Sequence, residues 1–372
     1  MNFDSGVLDN NEKITYALRS LYSRHGYSQY KMSKFEEYDL YSRNKDFLVS
    51  DSVITFNDTN GRLMALKPDV TLSIIKNNRG FKGGVLKLCY DENVYRVSKG
   101  TGSFREIMQI GLECIGEVDD FCIGEVLWLA AESLKTVSPD FVLDISDLDL
   151  IGAFIDNISS DAEICKALMK CIGEKNLHGI SAICARNSID ESAAEPLKKL
   201  IMTYGTAREI LTQVKELAAG IGAESAADSL ARAVSIFDNY EFADRIHIDF
   251  SVVSDMKYYN GVVFKGFING VPGSVLSGGR YDKLMARLHD NSKAIGFAVY
   301  LDMLEDINKE EKEYDADIML VYSPGSDPAG LREAADKLTA EGKSVFVAAE
   351  GNQSVRCREI YKYADGEVRS LE

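Results

Sequence analysis

Residues 94–116 read VYRVSKGTGSFREIMQIGLECIG. The run VYRV, the glycine-broken stretch SKGTGS and the alternating run after it predict two antiparallel strands joined by a loop. Arg96 and Arg105 stand on either side of that loop, an arrangement suited to an anion. In the second strand Met108, Ile110, Leu112 and Cys114 share one face, which is expected to pack on a helix. Ile107, Gln109, Gly111, Glu113 and Ile115 share the other. A glycine inside a strand marks close approach by a ligand or another backbone. Two readings of this polar face stand at this point: a solvated sheet surface, and the floor of a binding site.

Outward from the hairpin, residues 45–145 are short apolar runs broken by turns such as DTNG (58–61), the pattern of an antiparallel sheet. A helix over 120–136 interrupts it. Ile14, Ala17, Leu18, Leu21 and Tyr22 have helical spacing, with Gly26 as a stop. Further helices are marked by Ile164, Leu168, Cys171 and Ile172, then by Leu197, Leu200, Ile201 and Tyr204, then by Ile210, Val214, Leu217 and Ile221. Strands return over 245–253 and 259–268. A charged linker (308–317) precedes IMLVYS, DPAGLREAADKLTAEG and SVFVAA, a β–α–β pattern. The expected fold is α+β, an antiparallel sheet flanked by helices. Domain 1–310 would carry a helical insertion over 150–245, and 316–372 a small α/β unit.

Composition bounds the function. The chain has 372 residues, 45% hydrophobic and 27% charged, as in ordinary globular proteins. It contains no run of about 18 apolar residues, and its N-terminal stretch MNFDSGVLDNNEK lacks a signal-peptide pattern, so the expected location is the cytoplasm. Seven cysteines without CxxC spacing read as reduced core thiols, and the four histidines are too scattered for a zinc site. The net charge of −16 argues against non-specific nucleic-acid binding. Walker loops, nucleophile elbows and dinucleotide fingerprints are missing from the sequence.

Three more fragments follow in order: ALKPDVTLSI (65–74), with Asp69 and Thr71; SDMKYYNGVVF (254–264), with paired tyrosines; and SGGRYDKL (277–284), with Arg280 and Tyr281. Together with the hairpin and AIGFAVYLDML (294–304), they resemble the catalytic domain of histidyl-tRNA synthetase, a class II synthetase, over roughly 1–305. KPDVT is similar to that family's RP-acid-x-T segment, the hairpin to its motif 2, VVSDMKYYNGVVF to its RGLDYY segment, SGGRYD to GGRYD, and AIGFAVYLDML to motif 3. The C-terminal unit resembles a truncated anticodon-binding domain.

The resemblance implies a histidine pocket. Asp69, Thr71 and Gln109 would hold the amino end, and Glu113 and Tyr259 the two imidazole nitrogens. Tyr258, Arg280 and Tyr281 would build the wall. Arg96 matches the arginine that grips the ATP α-phosphate, and with Arg105 it reads as a vestigial phosphate site. The departures fall on chemistry. Ser98 replaces the motif 2 glutamate, Ser254 the RGLDYY arginine, and Met303 the motif 3 arginine; Lys257 replaces an acid, and the motif 1 proline is missing near Ser33. Adenylate formation depends on preorganised positive charge, and losing one such donor costs about 10²–10³ in rate. Residues 312–372 hold 8 Lys/Arg against 12 Asp/Glu, so tRNA binding is not expected.

A retained histidine pocket without adenylation machinery resembles the synthetase paralogues that regulate ATP phosphoribosyltransferase. That implies a non-catalytic chain without cofactor or metal, partnered by the short-form catalytic subunit. Histidine would be the feedback effector of the first step of histidine biosynthesis, and a homodimer would sit within a hetero-oligomer away from membranes. A divergent histidyl-tRNA synthetase is the enzyme alternative, and a free-standing histidine sensor is a third class.

Overall fold

The structure is a computed structural model and describes residues 8–43, 53–78, 83–98, 101–253, 258–288, 292–304, 307, 313–351 and 355–371. The chain forms two compact units, Met1–Ile307 and Asn308–Glu372. Ser254 and Lys257 lie outside the described residues, as do residues 45–52 at the start of the expected sheet region.

The hairpin organises the first unit. Val85–Val97 and Phe104–Gly116 are thirteen-residue strands, paired antiparallel from Val85↔Gly116 to Val97↔Phe104. They belong to a sheet that has nine strands among the described residues. Its order is Ser28–Gln29, Val85–Val97, Phe104–Gly116, Lys293–Tyr300, Leu276–Arg280, Val262–Ile268, Phe141–Asp147, Ile246–Asp249, Tyr204–Thr206. The run from Val85–Val97 to Phe141–Asp147 is antiparallel throughout.

The apolar face packs on two helices. In Asn10–Arg24 the Asp9 side chain accepts from the Glu12 N–H, and Glu12 accepts in return from the Asp9 N–H. This capping box satisfies two orphan donors of the first turn. Ile14, Leu18, Leu21 and Tyr22 face inward, and the chain turns away at Gly26, whose φ of 82° suits glycine. Asp120–Val137 is capped by Asp119 and buries Val126, Leu127, Ala130 and Leu134. Tyr22 meets Ser133 across the two helices at 2.9 Å. Ile110, Leu112 and Cys114 are fully buried in this core, as strand alternation predicts, with Met108 partly buried against it.

Six α-helices between Leu148 and Val234 form the helical block. Tyr204 departs from its expected helical place. The helix Glu195–Met202 ends before it, and Tyr204–Thr206 pairs antiparallel with His247–Asp249 as an edge strand. Thr206 then caps the next helix through a box with Glu209, so the chain is extended between two helix boundaries. A helix the apolar pattern does not announce, Thr71–Asn77, follows Pro68 and Asp69. A small sheet in the order Phe35–Glu37, Leu63–Leu66, Thr55–Asn57 leads into that segment.

In the second unit, Ala316–Tyr322 lies between Val345–Ala349 and Cys357–Ala364, parallel to both. The helix Pro328–Ala340, capped by Asp327, packs Ala334 and Ala335 near Leu320 and Tyr363. A hairpin to Glu367–Ser370 turns at Asp365 and Gly366, both with positive φ (53° and 80°), as a two-residue type I′ turn requires.

Candidate functional site

The polar face of the hairpin is buried. Glu113 is 2% exposed and Gln109 4%, which excludes the solvated-surface reading. The register explains what Glu113 lies against. It stands opposite Gly296, which stands opposite Gly279 on the next strand. A Cβ at Gly296 would fall 1.8 Å from Glu113 Oε2, and one at Gly279 would fall 2.8 Å from Tyr259 Cδ1. Two strands therefore withhold side chains where the glutamate and a tyrosine ring lie down. Gly111 likewise leaves room for the Tyr90 ring, since a Cβ there would sit 2.6 Å from its hydroxyl.

On this floor Glu113 is held from both sides. Thr71, in the first turn of Thr71–Asn77, donates its hydroxyl to Glu113 Oε1 at 2.7 Å. Tyr281 donates to Oε2 at 2.5 Å. The Tyr258 ring lies 6.0 Å from that of Tyr281 and 4.4 Å from that of Tyr259. Asp69 precedes the short helix and accepts from the Leu72 N–H at 2.9 Å. Arg96 donates Nε–H to the Pro68 carbonyl at 3.2 Å, next to Asp69 in sequence.

Each remaining candidate has a definite place. Gln109 shares the Glu113 face two positions beyond Gly111 and pairs in register with Tyr300 and Glu92, without bonding directly to Glu113 or Thr71. Arg280 forms a salt bridge to Asp282 at 2.6 Å. Arg105 is directly opposite Arg96 but exposed, and it makes no ion pair among the described residues. Met303 is exposed in a short 3₁₀ turn, Leu301–Met303. The structure thus brings Thr71, Glu113, Tyr258, Tyr259 and Tyr281 together, and leaves Arg105 outside. Thr71, expected at the amino end, bonds instead to the glutamate assigned to the imidazole.

Sequence reasoning missed two features here. Tyr281 appeared only as wall, because 168 positions separate it from the carboxylate it binds. Lys67, fully buried and paired with Glu92 at 2.9 Å, went unremarked. Its position just before Pro68 was the available signal, because a lysine between apolar neighbours at a strand end needs a buried partner.

The electrostatics follow from burial. Desolvation pushes the Glu113 carboxyl up to about 8, against the lowering influence of the Tyr281 and Thr71 hydroxyls. Asp69 is also raised by burial, partly offset by the Leu72 N–H and the Arg96 charge. A carboxyl whose native pKa exceeds its unfolded value favours the fold while it is protonated, and that contribution is lost as pH climbs through the native value. The melting temperature of the free wild-type chain should therefore fall relative to Glu113→Gln between about pH 5 and about pH 9. Parallel melting curves would contradict this assignment.

Among the described residues no cluster of His, Cys, Asp and Glu could hold a metal ion, and no helix is long and apolar enough to cross a membrane. Comparison with known proteins points one way. The family model for histidyl-tRNA synthetase matches residues 7–304. An ATP phosphoribosyltransferase regulatory subunit from Caldanaerobacter subterraneus subsp. tengcongensis is 31% identical over 289 residues, 76% of this chain and 75% of the relative. A crystal structure described as an ATP phosphoribosyltransferase regulatory subunit/histidyl-tRNA synthetase from Bacillus halodurans C is similar with a TM-score of 0.76 at 24% identity, covering 92% of this chain and 89% of that one. A chain from the ATP phosphoribosyl transferase (HisG:HisZ) complex of Thermotoga maritima is similar with a TM-score of 0.61 at 18% identity, over 78% and 97%.

Proposed function

The chain belongs to the histidyl-tRNA synthetase family and, within it, to the ATP phosphoribosyltransferase regulatory subunits; from that premise we propose that it is the histidine-sensing chain of its complex. It is a non-catalytic subunit, and phosphoribosyl transfer is carried out by its partner. The observation that carries the sensing role is the buried Glu113 carboxyl, held by Thr71 and Tyr281 over a floor of glycine. An imidazole presents one N–H donor and one acceptor nitrogen, so a fixed acceptor beside a cluster of phenols suits it.

The charge pattern supports binding without adenylation. Lys67 and Arg280 are each neutralised by a carboxylate at 2.9 and 2.6 Å, rather than offered to a polyphosphate. Arg96 and Arg105 remain as a vestigial phosphate site. Asp69 and Gln109 would receive the amino end of the ligand, and Tyr259 the second imidazole nitrogen. The chain would act as a homodimer inside a hetero-oligomer with the short-form catalytic subunit, in the cytoplasm and without tRNA.

Feedback then requires histidine to bind one state of the complex more tightly than the other; a ligand with equal affinities regulates nothing. A coupling of about 1–3 kcal/mol changes apparent affinity about 5–150-fold. The test is phosphoribosyl transfer by the catalytic subunit, alone and with this chain, across a histidine series. The chain should raise the activity and make it histidine-sensitive, with ATP–pyrophosphate exchange at background. A histidine response unchanged by the chain, or robust pyrophosphate exchange, would reject the reading.

A further inference from the structure

Tyr41 lies in the short helix Tyr38–Ser42, which rests on the strands Phe35–Glu37 and Leu63–Leu66 of the small sheet. The second of these strands ends at Leu66, and the chain runs on through Lys67 and Pro68 to Asp69, three residues past the strand on which the tyrosine's helix rests. Tyr41 is 0% exposed and belongs to the hydrophobic cluster that contains Val70, Leu72, Tyr258 and Tyr281. Among the described residues its hydroxyl has no hydrogen-bond partner. A buried tyrosine normally finds a partner for its hydroxyl, and one that does not calls for a cause.

The surrounding carboxylates narrow that cause. The charges that bear on the Tyr41 hydroxyl are those of Glu36 and Asp69. Glu36 is fully engaged, accepting from Ser73 at 2.8 Å and from Lys76 at 2.8 Å. Asp69 accepts the Leu72 N–H, and among the described residues it receives no side-chain hydrogen bond. An unpartnered hydroxyl and an under-used carboxylate therefore belong to one buried neighbourhood, Tyr41 packing in the cluster that holds Val70, the residue after Asp69. A group with several N–H donors and positive charge satisfies both at once. A neutral apolar group satisfies neither.

We propose that Tyr41 is a ligand-binding residue of this site, its phenol oxygen accepting a hydrogen bond from the ammonium group of a bound amino acid while Asp69 meets the charge. The assignment rests on the reading of the site as an amino-acid pocket. It makes Tyr41 a determinant of specificity for ligands that carry an α-amine over those that lack one.

Tyr41→Phe removes the hydroxyl and nothing else. Calorimetric titration of the full complex, wild type and variant, would use L-histidine, histidinol (amine kept, carboxylate absent) and imidazolepropionate (amine absent). The variant should bind L-histidine and histidinol about 10-fold or more weakly and imidazolepropionate as wild type does. The unliganded variant should melt no lower than wild type, because the substitution deletes an unsatisfied buried group. Unchanged binding of both amines, as expected if the hydroxyl meets only an unseen water, would overturn the proposal. So would equal weakening of all three ligands, which indicates general distortion. Wild-type complex that binds none of the three would remove the amino-acid reading, and this assignment with it.

Discussion

Glu113→Gln is expected to weaken histidine binding by about 100-fold, read by calorimetric titration of the complex, while the chain keeps its affinity for the catalytic subunit. Glutamine has the volume to lie over Gly296, so the floor is undisturbed. What changes is the hydrogen-bond inventory. Glu113 receives two hydroxyl donors, Thr71 at Oε1 and Tyr281 at Oε2. An amide offers one acceptor oxygen and two donors, so one of those hydroxyls faces an N–H₂ group and must turn away. Above about pH 8, where the Glu113 carboxyl ionises, the negative charge available to an imidazole N–H also disappears. Loss of a charged partner in a buried site is worth about 1.5–3 kcal/mol. Stability should change little or rise, because an expensive buried carboxyl has been removed. Histidine binding within a few-fold of wild type would mean that this carboxyl is architectural and the effector binds elsewhere.

The second large effect is steric. Gly296→Ala places a methyl 1.8 Å from Glu113 Oε2 and 2.4 Å from the Leu112 carbonyl. The carbonyl belongs to the paired neighbouring strand and cannot retreat without breaking the register Leu112↔Phe297. The substitution should cost about 3 kcal/mol, lowering the melting temperature by about 5–10 °C. It should also displace Glu113 and abolish histidine binding. Gly124→Ala is the control. The atoms nearest its Cβ would all be of the Ile236 side chain, from Cδ1 at 3.2 Å to Cβ at 3.5 Å and Cγ2 at 3.8 Å, and alanine favours the helix Asp120–Val137. A melting temperature for Gly296→Ala matching that control would show that the strands have slack the structure does not suggest.

Strand alternation made much of this legible. The faces of residues 106–115 follow from a period of two, and the same period places Gln109, Gly111 and Glu113 together. Arg96 and Arg105 flank the loop as read, but it is the pairing register, which alternation does not give, that sets them opposite one another. Alternation cannot say whether a polar face meets water or protein, because that depends on Thr71, Tyr258 and Tyr281 arriving from distant segments. The helix Thr71–Asn77 escaped notice because seven residues after a proline carry too few turns to display a helical stripe. The C-terminal hairpin escaped for a different reason. Its signal, Asp365–Gly366 between alternating residues, is confined to two positions near the end of the chain. Tyr41 had no signal at all, since YDLYS gives no hint that one of its tyrosines lacks a partner.

The residues beneath Glu113 and Tyr259 bear on what a changed binder would look like. Glycine is the smallest residue, so the depth of this recess is already at its limit, and no further truncation at 279 or 296 can enlarge it. A lineage or a laboratory selection seeking to accommodate a bulkier effector would have to work sideways, by trimming Thr71, Tyr258 or Tyr281. Two of those three also orient Glu113. Tyr258 in turn bonds to Thr71, so altered preference and weakened grip would emerge in the same clones whichever of the three is trimmed.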